Sequence, residues 1–284
     1  MIEENLSLLL VALPMVAAPI TALLPAGRLP WLSALVVTWL SLVLASWQLW
    51  VVADGSTISY ELGGWAPPWG IEYRIDALNA LVALIVAGIG AITLPYALRS
   101  VAKEVPEHQT PYFYAAFLLC FDGLLGITQT GDIFNLFVFL EISSLSSYAL
   151  ISMGQKRRAL TAAYQYLIMG TIGATFLLIG IGLVYAETGT LNMGDLHNRL
   201  AAIFDHRTVH TAFAFMLVGI SLKLALFPLH LWLPNAYTYA PSVVSLFLAA
   251  TATKVAVYVM VRMVYTIFSS GFSGETPFNE IFLV

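Results

Sequence analysis

Eight stretches of about twenty residues with almost no charge divide this chain, and nothing constrains its fold more. About twenty apolar residues in a helix match the hydrocarbon thickness of a bilayer. A bilayer interior offers no partner for backbone N–H and C=O groups, so spans of this kind must be helical. The stretches run roughly over 5–25, 31–53, 75–98, 111–129, 131–153, 160–186, 209–231 and 241–268. The sequence therefore predicts an all-α polytopic membrane protein with about eight transmembrane helices. Only 10% of its 284 residues are charged and the mean hydropathy is +0.85, against about 25% charged in a soluble domain. The net charge of −4 gives no footprint for a nucleic-acid partner. Cys120, the single cysteine, lies in an apolar stretch and reads as a packing residue. The N-terminus MIEENLS is acidic, lacks a basic n-region and leads straight into the first span, so no cleavable signal is expected.

The connections carry information too. Residues 54–74, DGSTISYELGGWAPPWGIEYR, combine turn formers with the alternating STISYEL and read as a short extracytoplasmic hairpin. LNMGDLHNRLAAIF, within 187–208, reads as a short amphipathic helix at the interface. With the N-terminus outside, the inner loops hold Arg28, Arg99, Lys103, Lys156, Arg157 and Arg158, and the outer loops hold Arg74, Arg199 and Arg207. Six basic residues against three favour that orientation by the positive-inside rule. Prolines within spans (Pro14, Pro19 and Pro95) predict kinks.

Three charges sit where the sequence is otherwise apolar: Glu141, Lys223 and Lys254. A charge at mid-bilayer depth costs a few kcal/mol or more, so it faces a partner or a wet cavity. Glu141 lies near the middle of span 5, with Ser144 one turn on and Tyr148 two turns on along the same face. Lys223 is followed by Pro228, His230 and Pro234. Two prolines so close should break span 7 there, and broken helices at membrane depth mark binding and conduction sites in transporters. The bland reading of both residues is a static ion pair. Lys254 shares a face with Thr251 and Tyr258, which could continue a polar track; snorkelling is the alternative, and Arg262 two turns on is expected to snorkel or sit near the outer mouth. His230 could relay a proton, since imidazole titrates near neutrality, or could cap carbonyls that the prolines free. Asp132 reads as the N-cap of span 5. Asp122, inside span 4, is either a second intramembrane acid or hydrogen-bonded packing. Walker A, dinucleotide, CxxC and HExxH patterns are absent and the five histidines are scattered, so neither a metal nor a cofactor is expected.

Two segments, TGDIFNLFVFLEISSLSSYAL (130–150) and KLALFPLHLWLPNAYTYAPSVVSLFLAATATKVAVYVMVR (223–262), resemble the antiporter-like subunits shared by respiratory complex I, membrane-bound hydrogenases and Mrp-type cation/proton antiporters. The wording is most similar to the D-type subunits of the Mrp branch. Complex I relatives usually read WLPDAH where this chain has Asn235 and Tyr237. The resemblance implies that Glu141 and Lys223 form the pair that drives proton movement, that His230 follows the helix break, and that Lys254 continues the hydrophilic path. It implies N-terminal helices over 1–110, an antiporter-like repeat over 111–268 with a discontinuous span 7, and a tail at 269–284 that reads as a truncation or split point. A second repeat is expected elsewhere, in a missing portion or a separate chain. The implied setting is a prokaryotic cytoplasmic membrane, and the implied partners are the other membrane subunits, with protons and Na⁺ or K⁺ as cargo. The expected function is proton translocation in a multisubunit Na⁺(K⁺)/H⁺ antiporter, the chain itself being no enzyme. The alternatives are a proton-pumping subunit of a hydrogenase or complex I-like redox complex, and a non-transporting scaffold.

Overall fold

A computed structural model describes residues 5–269; the expected tail at 269–284 lies almost wholly outside them. The helices are α1 (Leu6–Ala22), α2 (Arg28–Val52), α3 (Ala77–Glu104), α4 (Thr110–Gln129), α5 (Ile133–Ser152), α6 (Arg157–Thr188), α7 (Met193–Ile203), α8 (Arg207–Leu224), α9 (Trp232–Tyr239) and α10 (Ser242–Arg262). Six of these elements, α2 to α6 and α10, are long and apolar enough to cross a membrane. The protein is an all-helical membrane protein. α1 is apolar but only 17 residues long.

The expected break in span 7 falls three residues earlier than Pro228, and the physics explains where. A proline lacks the N–H that would bond to the carbonyl four residues back, and its ring crowds that same carbonyl. Four residues before Pro228 is Leu224, the last residue of α8. Ala225 then takes the left-handed conformation at φ 58°, and its N–H and that of Leu226 close on Leu222 O and Ser221 O. Pro234 sits in the first turn of α9, where a missing N–H is harmless. α1 and α3 run on through Pro14, Pro19 and Pro95.

α4 is the hub. It packs against α1, α2, α3, α5 and α10, and Phe113, Phe117 and Phe121 repeat along one face. Phe117 and Phe121 meet Phe247 of α10 at ring separations of 4.7 and 6.4 Å. Gly123 and Gly126 bring α4 against α5; a Cβ on Gly126 would lie 2.3 Å from the Phe139 ring. α6 and α8 approach through Gly173 and Gly219, where a Cβ on Gly219 would meet Gly173 O at 2.7 Å. Small residues at helix contacts are what membrane packing favours, because lipid supplies no hydrophobic drive to pair.

The expected hairpin forms as β1 (Ile58–Glu61) and β2 (Glu72–Ile75), antiparallel, with Tyr60 opposite Tyr73. The amphipathic segment forms α7, buried through Met193, Leu196 and Leu200 and capped by Asn192. A short backbone ladder joins the two. Gly131 N donates to Glu72 O at 2.8 Å, and Met193 N donates to Gly131 O at 2.8 Å. Asn192 also donates to the Glu72 carboxylate at 2.8 Å. The start of α5 is therefore fixed by the hairpin on one side and α7 on the other.

At this same end Arg262 does not snorkel. Its guanidinium donates to both Asp76 carboxylate oxygens at 2.6 Å and to Tyr258 Oη at 3.0 Å. Asp76 also caps α3, accepting from Leu78 and Asn79 amides. Burial works against the Asp76 charge, but the Arg262 bond and these amides outweigh it and hold the carboxyl below its usual range. A carboxyl depressed in the folded state stabilises above its unfolded pKa of about 4 and loses that contribution as pH falls through the folded value. The melting temperature of the detergent-solubilised protein should therefore drop below about pH 4. Asp76→Asn should melt lower than wild type at neutral pH and should lack the part of the acid response that Asp76 supplies.

Candidate functional site

Lys223 lies in the last turn of α8, two residues before Ala225 at the break, and its side chain is only 5% exposed. Its ammonium donates to Glu141 Oε1 at 2.8 Å and to Ser144 Oγ at 2.7 Å. Glu141 is mid-way along α5, and Ser144 follows one turn later on the same face. The structure therefore brings together Glu141, Ser144 and Lys223. Beside them is a cavity of about 20 Å³, lined by Ser143, Ser144, Ser147, Tyr166 and Lys223 and closed by Ala252, Val255 and Ala256 of α10. A volume of that size with polar walls suits a single water.

The break is sealed by residues that sequence reasoning did not single out. Trp232, at the start of α9, donates its indole N–H to Leu222 O at 3.1 Å. The freed carbonyl is thus capped by Trp232 and the Ala225 amide, and not by His230. Trp232 stacks on Tyr166 of α6 with ring centroids 4.0 Å apart and planes 2° apart, and Tyr166 meets Tyr148 edge-on at 4.6 Å. Tyr148, two turns from Glu141, thus contributes an aromatic wall. Gly170 leaves room for it: a Cβ there would lie 1.8 Å from the Tyr148 hydroxyl oxygen. The signal available in the sequence was the run of aromatics around the prolines, but nothing in it says which ring covers which carbonyl.

Other expected residues separate from the pair. Lys254 is on the exposed side of α10, where its ammonium donates to Ala249 O at 2.5 Å and Thr253 Oγ1 at 3.3 Å. Thr251 is buried and returns its hydroxyl to Phe247 O at 2.7 Å. Tyr258 is buried with its hydroxyl taken by Arg262. The expected polar track of Thr251, Lys254 and Tyr258 is therefore not formed among the described residues: α10 turns the first and last inward and the lysine outward. His230 lies in the segment between α8 and α9, against the Phe227 ring at 5.5 Å, with its Nδ1 buried and without a hydrogen-bond partner among the described residues. Asp132 caps α5, accepting from Asn135 N at 2.7 Å. Asp122 is fully buried in α4, and neither carboxylate oxygen finds a partner among the described residues. Cys120 is a buried free thiol 3.3 Å from Ser147 Oγ.

Residues 130–279, which contain the pair, the break and α10, match the family described as NADH:quinone oxidoreductase/Mrp antiporter, TM. The chain belongs to this family. Its relatives carry names from both branches. It is 49% identical over 211 residues to the N-type subunit of the NADH-quinone oxidoreductase of Desulforudis audaxviator, covering 74% of this chain and 42% of the relative. It is 31% identical over 223 residues to the D-type subunit of the Na⁺/H⁺ antiporter of Bacillus subtilis, covering 78% of this chain and 44% of the relative. Among solved structures, a chain of the Mrp complex from Dietzia sp. DQ12-45-1b superposes with a TM-score of 0.85 at 29% identity, over 95% of this chain and 50% of that one. The fold is thus antiporter-like, and the chain spans under half the length of these curated relatives.

The pair itself makes a stability prediction. Removing Glu141 leaves the buried Lys223 ammonium uncompensated, which costs about 3 kcal/mol when both partners are buried and less here, where the carboxylate side is partly exposed. Glu141→Ala should destabilise the solubilised protein by that smaller amount, whereas Glu141→Ala combined with Lys223→Met should cost less than the single change. Thermal melts of these two variants and of Lys223→Met alone check this; a double-variant loss equal to the sum of the two single losses would mean that the side chains do not interact.

Proposed function

We propose that this chain is a proton-translocating subunit of a multisubunit Na⁺(K⁺)/H⁺ antiporter, with Glu141 and Lys223 as its proton-handling pair. The observation that carries the reading is the 2.8 Å pair at a helix break, its lysine buried and its carboxylate partly exposed, with Ser144 and a water-sized cavity beside the lysine. A static structural pair has no need of a broken helix or a wet neighbour. A proton arriving on Glu141 cancels the charge that Lys223 is paired with, and the ammonium can then pass a proton to the adjacent water. From there the proposed route runs laterally, by water and His230, towards Lys254 and out of this segment. His230 Nδ1, buried and without a hydrogen-bond partner among the described residues, supports a relay there, and Lys254, on the exposed side of α10, stands where the route would leave this segment.

In the same reading α1 and the broken α8–α9 pair join the six long helices to give eight spans, with residues 1–110 preceding a five-span repeat at 111–268. The N-terminus lies outside, and the hairpin and α7 sit on that outer face of a prokaryotic cytoplasmic membrane. A second repeat and further membrane subunits are the partners. A redox-driven setting is the second reading, favoured by the 49% identity to a subunit named for NADH-quinone oxidoreductase; the residues would do the same chemistry and an electron-transfer arm would supply the energy. Neighbouring genes for iron–sulfur proteins would decide for that setting.

The test is cation-dependent ΔpH in everted vesicles from an antiporter-deficient host that expresses the chain with its neighbouring subunit genes. Glu141→Ala and Lys223→Ala should each abolish exchange while the complex still assembles. Wild-type exchange in either variant at normal expression would exclude the pair from the transport path.

A further inference from the structure

A second set of buried polar side chains lies outside the helix break, on the N-terminal helices and α4. Gln48 of α2 donates to Gln129 of α4 at 2.7 Å, and both side chains are fully buried. Gln48 is four residues from the end of α2, and Gln129 ends α4. The two helices therefore run parallel, with these ends together below the hairpin. Two turns deeper, about 10 Å along each helix, come Ser41 on α2 and Asp122 on α4. Both are fully buried. Ser41 Oγ, Gln48 Oε1, both Asp122 carboxylate oxygens and Ser7 Oγ of α1 all lack a hydrogen-bond partner among the described residues.

Buried polar atoms are satisfied in more than nine cases out of ten, and a cluster of exceptions indicates ordered water or an ion. The acid is the informative member. An ionised carboxylate with no cation beside it is far too costly to bury, so Asp122 is tolerated only if it carries its proton or shares it with water. Among the described residues, no helix packed against it offers a counter-charge at that depth. α1 has no ionisable side chain. α2 has only Arg28, at its opposite end. The charges of α3 (Arg99, Lys103 and Glu104) crowd its far end. On α5, Glu141 is engaged with Lys223, and on α10 Arg262 is engaged with Asp76 while Lys254 faces outward. The ionisable group in electrostatic reach is Tyr73 on β2. Burial pushes its phenol up to about 12, and a charge on Asp122 adds to that push. Tyr73 also pairs with the backbone of Thr130, immediately after α4.

We infer that Asp122 is a second proton-binding site, hydrated through Ser41, Gln48 and Gln129 from the hairpin end of the bundle and separate from the Glu141–Lys223 pair. Its ligands are a proton and one or more waters. The inference stands apart from the transport reading, because it concerns a protonation that can be seen without turnover.

Infrared difference spectroscopy on the purified protein, with its partner subunits present, tests it. A carboxylic-acid C=O band should appear, shift on transfer to D₂O and change amplitude with pH. The band should be lost in Asp122→Asn and kept in Glu141→Gln. Should Asp122→Asn fail to fold, Asp122→Glu should move the band without removing it. Absence of the band, its survival unchanged in the Asp122 variants, or its insensitivity to both D₂O and pH would each overturn the inference. Loss of the band in Glu141→Gln instead would return the proton to the first pair.

Discussion

The ion pair between Glu141 and Lys223 is the interaction around which this fold is arranged. Two opposite charges at membrane depth are tolerable only when each satisfies the other and the remaining donors find oxygen. Ser144 supplies that oxygen. The lysine stands in the last turn of α8, which stops one residue later at a point set by the carbonyl that Pro228 cannot tolerate. Stopping the helix frees backbone groups, and the aromatic stack of Trp232, Tyr166 and Tyr148 covers that place. The stack in turn needs Gly170. A single electrostatic requirement therefore propagates into a proline, a tryptophan, two tyrosines and a glycine.

The backbone ladder holds the other end of α5. Glu72 O, Gly131 and Met193 link the hairpin to the start of α7 through the turn that Asp132 caps. Arg262, bound to Asp76 and Tyr258, ties the end of α10 to the start of α3. The start of the carboxylate-bearing helix is consequently fixed by hydrogen bonds that do not involve the pair, and a change of protonation at Glu141 need not move its backbone.

The sequence made much of this legible, for physical reasons. Apolar length marks spans, and a charge inside one marks a site, because the bilayer penalises everything else. The break in span 7 was readable from Pro228 and Pro234, and the cap of α5 from Asp132. What could not be read was which way each side of α10 points. Thr251, Lys254 and Tyr258 are close in helical phase, yet the packing of α4 and Arg262 takes the first and last inward and leaves the lysine out. Nor could the sequence show that Trp232, and not His230, caps the break, since both are hydrogen-bond donors within a few residues of it. Asp122 looked ambiguous because whether an acid finds a partner depends on the helices packed around it.

The central claim is that the pair works by changing its protonation and not merely by holding α5 to α8. Exchanging the two charges, Glu141→Lys with Lys223→Glu, keeps an attractive pair across the same two helices while reversing which one carries the transferable ammonium. Cation-dependent proton exchange by the assembled complex in everted vesicles should be lost in the exchanged variant although its stability recovers relative to either single change. Exchange at the wild-type rate in that variant would show that only the attraction between the helices matters, and would contradict the account.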